Sequence, residues 1–342
     1  MENPISKFGN KSILLCEDDK IALDYENILN IHYSHKKICY FPAHDSLPFS
    51  SESSSSDILL DRSEKLQTLT HNDIIIITCN NLLKKFQINK DANHFLTLTK
   101  NQTIEANTIL EKLVEFNHSN QANAYNKLEF SLRGDILDIY NSNNNPYRIS
   151  FFDNVIETIK EFNPQTQLTF KDEKERIDIF NPNIELLEPS NKDSYFEDII
   201  MGYSIYTINR SDIILKEKLN FLKTIFDQVQ PEIPFSNYYL EDNKIKNFKF
   251  TNILSSSPKS LKITSNTSLD EFSKMSNKIY FHSGKNSSSI ENEFYQKKNI
   301  EPNYGNNLYF YKSVISKDYL FDGIVHLNKN THTTKKTNLD TI

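Results

Sequence analysis

The sequence predicts an α/β fold, an incomplete parallel sheet carrying an inserted α+β unit and followed by a small α/β unit. Three observations lead there. Short, wholly apolar runs such as Ser12–Cys16 and Ile74–Thr78 alternate with helical patterns over the first hundred residues, the rhythm of strands buried on both faces and joined by crossover helices. From Leu128 onward the apolar period drops to two, as in half-buried antiparallel strands. The length of 342 residues exceeds what one ordinary core accommodates, so two or three packed units follow.

In chain order, Ser12–Cys16 (SILLC) reads as a strand and Asp19–Leu29 as a helix with Ile21, Tyr25 and Ile28 on one face. Lys37–Phe41 and Ile74–Thr78 read as further strands, and a helix starts at Asp57 after the polar loop Ser50–Ser56. Phe95–Thr99 is strand-like, and Ile104–Phe116 is a helix with Ile109, Leu110, Leu113 and Val114 inward. Leu128–Arg133, Asp135–Tyr140, Tyr147–Phe152 and Val155–Phe162 form an antiparallel meander, punctuated by Gly134 and by the turn cluster Asn141–Pro146. Ser211–Gln230 is a helix with the apolar stripe Leu215, Leu219, Leu222, Phe226 and Val229, stopped by Pro231. Ser255–Pro258 is a linker. Lys278–Phe281, a helix near Ser288–Lys298 and Leu308–Tyr311 make the last α/β unit, and His332–Ile342 is an unpatterned polar tail. The expected boundaries are 1–90, 91–180, 181–258, 259–331 and 332–342.

Composition narrows the function. A net charge of −6 argues against nucleic-acid binding by bulk electrostatics, and six glycines supply little for glycine-rich phosphate cradles. Cys16, Cys39 and Cys79 form no CxxC pair, which fits a reducing cytoplasm. No apolar run reaches the about 18 residues of a membrane span, and Met-Glu-Asn-Pro is no signal peptide. A cytoplasmic protein without membrane partners is expected.

Glu17-Asp18-Asp19 after an apolar strand, with Asp61 as phosphoacceptor, Thr78 as switch hydroxyl and Lys100, has the residue types of a phosphoreceiver. The spacing from Asp61 to Thr78 is tight for the elements such a fold needs between them, and the alternative is a solvated acidic helix start. Gly284-Lys285-Asn286 lies between a strand and a helix as a P-loop does. Ile279 stands where that motif needs glycine, so an ordinary βα turn is the reading preferred. His32, His35 and Cys39 have metal-ligand spacing without an evident fourth ligand. No catalytic residues, metal ligands or nucleotide site are assigned.

The meander is the informative feature. In Tyr147–Phe152, Tyr147, Ile149 and Phe151 share one face; Arg148, Ser150 and Phe152 share the other, which puts a phenylalanine beside an arginine on a polar face. Arg133 shares its face with Glu129 and Ser131. Two arginines and an exposed ring on a rigid sheet have the composition of a protein-binding hot spot. The competing expectation covers Phe152 with the Ile104–Phe116 helix and pairs both arginines locally.

Those residues also carry a resemblance. FPAHDSLPF (Phe41–Phe49), DILLDRSEKLQTL (Asp57–Leu69), IIIITCNNLLKKF (Ile74–Phe86), FSLRGDILDIY (Phe130–Tyr140), PYRISFFDNVIETIKEFNPQTQ (Pro146–Gln167) and ERIDIFNPNIELL (Glu175–Leu187) occur in that order. They resemble the N-terminal UvrB-homology region of bacterial transcription-repair coupling factors, and UvrB itself less closely. The resemblance implies a UvrB-like module whose inserted domain binds the excision-repair ATPase UvrA, with the family's two arginine contacts and one phenylalanine contact falling on Arg133, Arg148 and Phe152. It further implies that ATP and Mg²⁺, RNA polymerase and DNA belong to motor and polymerase-binding domains that the chain is expected to stop short of. The chain would then be no enzyme itself, and a UvrB-related helicase fragment is the alternative.

Overall fold

A computed structural model describes residues 8–253 with short breaks, among them 89–94, 142–144, 187–193 and 196–199. Beyond residue 253 it describes residue 315 and four strand segments. The Ser288–Lys298 helix, Gly284–Asn286, the Ser255–Pro258 linker and the His332–Ile342 tail lie outside the described residues.

The first element is β1 (Ser12–Cys16), followed by α1 (Asp19–His32), β2 (Ile38–Tyr40), α2 (Ser56–Thr68), β3 (Ile74–Thr78) and the short α3 (Cys79–Leu83). Asp18 starts α1 by accepting the Ile21 amide proton at 2.8 Å, satisfying one of the donors a helix start leaves open. Much later the chain returns with β15 (Ser204–Ile208), α5 (Ser211–Val229), α6 (Phe235–Tyr238), α7 (Asp242–Ile245) and β16 (Phe250–Ile253). These strands make one five-stranded sheet, ordered β16-β15-β1-β3-β2 and parallel throughout. β1 and β3 are buried at every position, because α1 covers one face with Ala22, Tyr25, Ile28 and Leu29 while α5 covers the other with Leu215, Leu219 and Leu222. The stripe on α5 is shorter than its periodicity predicts: Val229, in its last turn, is exposed.

Arg62, on α2, is wholly buried in this unit. Its guanidinium stacks 4.3 Å from the Phe41 ring centroid, and donates to the Pro42 carbonyl and, at 3.1 Å, to Asn81 Oδ1. A buried charge is tolerable only with such partners.

Between α3 and β15 stand β4 (Gln87–Ile88), β5 (Phe95–Thr99), α4 (Ala106–Glu115), β6 (Ser119–Asn120), β7 (Glu129–Arg133), β8 (Ile136–Tyr140), β9 (Tyr147–Phe152), β10 (Val155–Phe162), β11 (Thr169–Glu173), β12 (Arg176–Phe180), β13 (Glu185–Leu186) and β14 (Ser194–Tyr195). β6 to β11 form a six-stranded sheet in sequence order, antiparallel except for β6–β7. One face carries Phe130, Leu137, Ile139, Ile149, Phe151, Ile156 and Ile159. It is covered by Ile109, Leu113 and Phe116 at α4 and by Leu98, Ile177 and Ile179 of the β5–β12 pair. Burying each such side chain contributes about 1.5–3 kcal/mol. Val114, expected inward, is exposed instead; α4 is a one-sided cover and its second flank meets solvent. His118 and Asn141 close the core's end: Asn141 Nδ2 donates to Phe180 O and its Oδ1 accepts from Phe180 N, at 2.8 and 2.7 Å.

Two contacts tie the sheets together. Ser63 Oγ on α2 donates to Asn181 O at 2.6 Å, and Lys127 pairs with Asp57. Last come β17 (Ile279–Ser283), β18 (Leu308–Lys312), β19 (Tyr319–Phe321) and β20 (Ile324–Asn328), in the order β18-β17-β20-β19 with only β19–β20 antiparallel. Among the described residues no helix is long and apolar enough to cross a membrane.

Candidate functional site

Among the described residues no helix packs on the second face of the antiparallel sheet, and alternation assigns its residues. Register places Asp138 of β8 directly opposite Ser131 of β7 and Arg148 of β9. The next row toward the hairpin ends is Arg133, Ile136, Ser150 and Thr158, the last two joined hydroxyl to hydroxyl at 2.6 Å. Phe152 ends β9 opposite Val155. The tight turns that follow β7 and β9 lie at the same end of the sheet. Gly134 takes φ +59° in the first and Asp153 φ +51° in the second, the left-handed backbone that such two-residue connections demand.

Phe152 is 72% exposed. The expectation that the α4 helix covers it is therefore corrected: α4 packs on the opposite face, against Ile149, and an even-numbered residue of β9 cannot reach it. Local pairing of the arginines is observed. Arg133 Nη2 lies 2.6 Å from Asp138 Oδ2 and Nη1 donates to Asn123 Oδ1. Arg148 grips the same carboxylate with Nε at 2.7 Å and Nη2 at 2.8 Å.

The two arginines differ in every other respect. Arg133 has a side chain 46% exposed, that of Arg148 is 19% exposed, and Asp138 is fully buried. Arg148 also donates to Gln167 O and Thr169 Oγ1, both at 3.0 Å, and to Gln167 Oε1 at 3.4 Å. Its guanidinium stacks 4.5 Å from the ring centroid of buried Phe162. Its hydrogen bonds to Asp138 hold its pKa above the ordinary arginine value. The ring against Arg148 is thus Phe162, while Phe152 stands two rows away, about 13 Å along the strand at the usual rise per residue. Arg133 on β7, Ile136 on β8 and Phe152 on β9 are exposed at this end of the sheet.

Asp138 and Ile136 escaped the sequence reading. Both lie in ILDIY, which reads as an apolar strand. Asp138 is the one charged side chain in that run, and the two-residue turn after β7 fixes it opposite Ser131.

The other candidates separate. Asp61 lies in the second turn of α2, paired with Lys65 at 2.9 Å, and Lys100 is bound to Glu173 at 2.7 Å beside the other sheet. Asp18 and Thr78 cap helices. No phosphoreceiver pocket is formed, since its phosphoacceptor belongs at a strand end. Cys39 is buried in the parallel sheet, its thiol pushed up to about 11 by burial, and among the described residues no His/Cys/Asp/Glu group could hold a metal.

Among the described residues this antiparallel sheet is thus covered on one face only, and its other face carries the exposed Phe152 ring and the half-exposed Arg133 guanidinium. Comparison with known proteins shows what this part of the chain is similar to. Residues 96–187 match the family described as UvrB interaction domain. The chain is 28% identical to the transcription-repair-coupling factor of Rickettsia bellii over 212 residues, 60% of this chain and 18% of the relative. It is 33% identical to that of Rickettsia conorii over 172 residues, 48% and 15% of the two chains. With that of Staphylococcus haemolyticus it shares 28% over 224 residues, 64% and 17%. The chain thus spans less than a fifth of the length of these curated relatives. Residues 96–187 are similar to UvrB interaction domains, and the chain is similar over more than half its length to part of transcription-repair-coupling factors.

Proposed function

We propose that this chain recruits UvrA in transcription-coupled nucleotide excision repair through the face that carries Arg133, Arg148 and Phe152. The observation that supports this most is the Phe152 ring, 72% exposed at the tip of the sheet, whereas Phe162 on the same face is buried. An uncovered ring on rigid backbone loses little entropy on docking and carries a large apolar area. Arg133, two strands across and one row back on the same face, supplies charge-assisted donors for a carboxylate or carbonyl of the partner. The resemblance to coupling factors brings UvrA contacts to these same positions. The role is recruitment and not chemistry.

Titration of immobilised UvrA with the full chain tests it. Phe152→Ala and Arg133→Ala are each expected to weaken capture on the order of tenfold, and together to abolish it, with unchanged melting. Each is an exposed side chain of the kind whose truncation costs about 1–3 kcal/mol at a hot spot. Capture of the double variant equal to that of the unmodified chain would refute the site.

A further inference from the structure

We propose that Asp138 is the positioning residue of this face: a buried carboxylate that holds the Arg133 guanidinium in place for the partner, with Arg148 anchoring the carboxylate from the neighbouring strand. This rests on the docking role proposed above and deepens it.

The donor inventory carries the inference. A guanidinium has five N–H donors. Those of Arg148 are engaged by both Asp138 oxygens, the Gln167 carbonyl and side-chain oxygens, and the Thr169 hydroxyl. Its planar surface is engaged by Phe162. To donate to a partner it would first have to break one of these bonds. Arg133 makes two bonds, to Asp138 and Asn123, and is nearly half exposed, so its remaining donors are available. Asp138 lies under both, fully buried on the docking side of the sheet and opposite Arg148 in register. A carboxylate there neutralises one of the two cations and fixes the plane of the other. The long arginine side chain is then partly ordered before docking, and less rotamer entropy remains to be lost.

The test is a double-mutant cycle on UvrA affinity with the full chain. Asp138→Asn keeps the shape but removes the charge that both guanidinium groups share, and it turns an N–H toward Arg148, which donates to both oxygens. It is expected to weaken binding on the order of tenfold in the unmodified chain and less than twofold when Arg133→Ala is already present, because it acts through Arg133. A purely structural Asp138 would give the same fold-loss in both backgrounds, and that additivity would overturn the inference. If Asp138→Asn does not fold, as judged by its melting, Asn123→Ala replaces it in the same cycle, since Asn123 holds that guanidinium from the outer side. An unchanged affinity for Asn123→Ala would then overturn it. Failure of the unmodified chain to capture UvrA at all would remove the docking reading itself; retained capture with additive losses would remove only the role of Asp138.

Discussion

The parallel and the antiparallel sheet spend their surfaces differently. β1 and β3 are buried at all five positions each, because helices cover both faces. β9 alternates, with Ile149 and Phe151 buried and Phe152 in solvent. A doubly covered sheet leaves only its edges and strand ends for function. A half-covered sheet offers a whole face, whose side chains lie in fixed rows and are oriented by their cross-strand neighbours. In this molecule the first sheet holds continuous apolar strings, and the second holds a strand, β9, that ends on an apolar residue facing outward.

This contrast can be broken by mutation. Ile77→Ala in the parallel sheet removes a fully buried side chain and is expected to cost about 4 kcal/mol. A urea midpoint shift worth under 1 kcal/mol would mean that the sheet is not the packed core described. Acid sharpens the contrast next. Burial pushes the His118 pKa down to about 4, with Nδ1–H donating to the Phe116 carbonyl and Nε2 accepting from Asn141 Nδ2–H. A depressed histidine favours the fold in its neutral form. Its stabilisation is complete above about pH 6.5 and falls by about 3 kcal/mol as pH drops to 4. Glu26, beside the parallel sheet, is raised by burial and has the opposite sign, stabilising when protonated and losing that contribution as pH rises through its folded value. Hydrogen exchange between pH 7 and 4.5 is expected to show the antiparallel amides of Asn141 and Phe180 losing protection before those of β1 and β3. The reverse order would contradict the assignment. The smallest effect lies within the uncovered face of the antiparallel sheet. Arg148→Ala leaves buried Asp138 short of a partner and is expected to lower stability by roughly 2–3 kcal/mol, whereas Phe152→Ala changes it by under about 0.5 kcal/mol. Equal destabilisation by the two would erase the distinction between anchor and exposed contact.

Much of this was legible in the residues. β5, β9 and β10 begin and end where alternation and turn chemistry place them, and β1 and β3 where apolar runs do. That Arg148 and Phe152 share a face follows from the period of two alone. What alternation cannot supply is register. The pairing of Asp138 with Arg148 depends on how β8 and β9 align across the Asn141–Pro146 connection, whose geometry no propensity fixes. The same gap concealed Phe162 beneath Arg148. Val114 and Val229 deceived for another reason: a helical apolar stripe marks what can be buried, not how far the neighbouring sheet extends to bury it.

The order in which the strands pair also sets an order in time. Ser12 of the central strand β1 hydrogen-bonds in register beside Ser204, so the larger sheet cannot be completed until the ribosome has passed both. β7 to β10, by contrast, pair with neighbours close in the chain, and β12, which closes the unit on β5, is made before Ser204. During synthesis the docking unit is able to mature while β1 still waits with one flank bare, since domains form as units and distant pairing is slow.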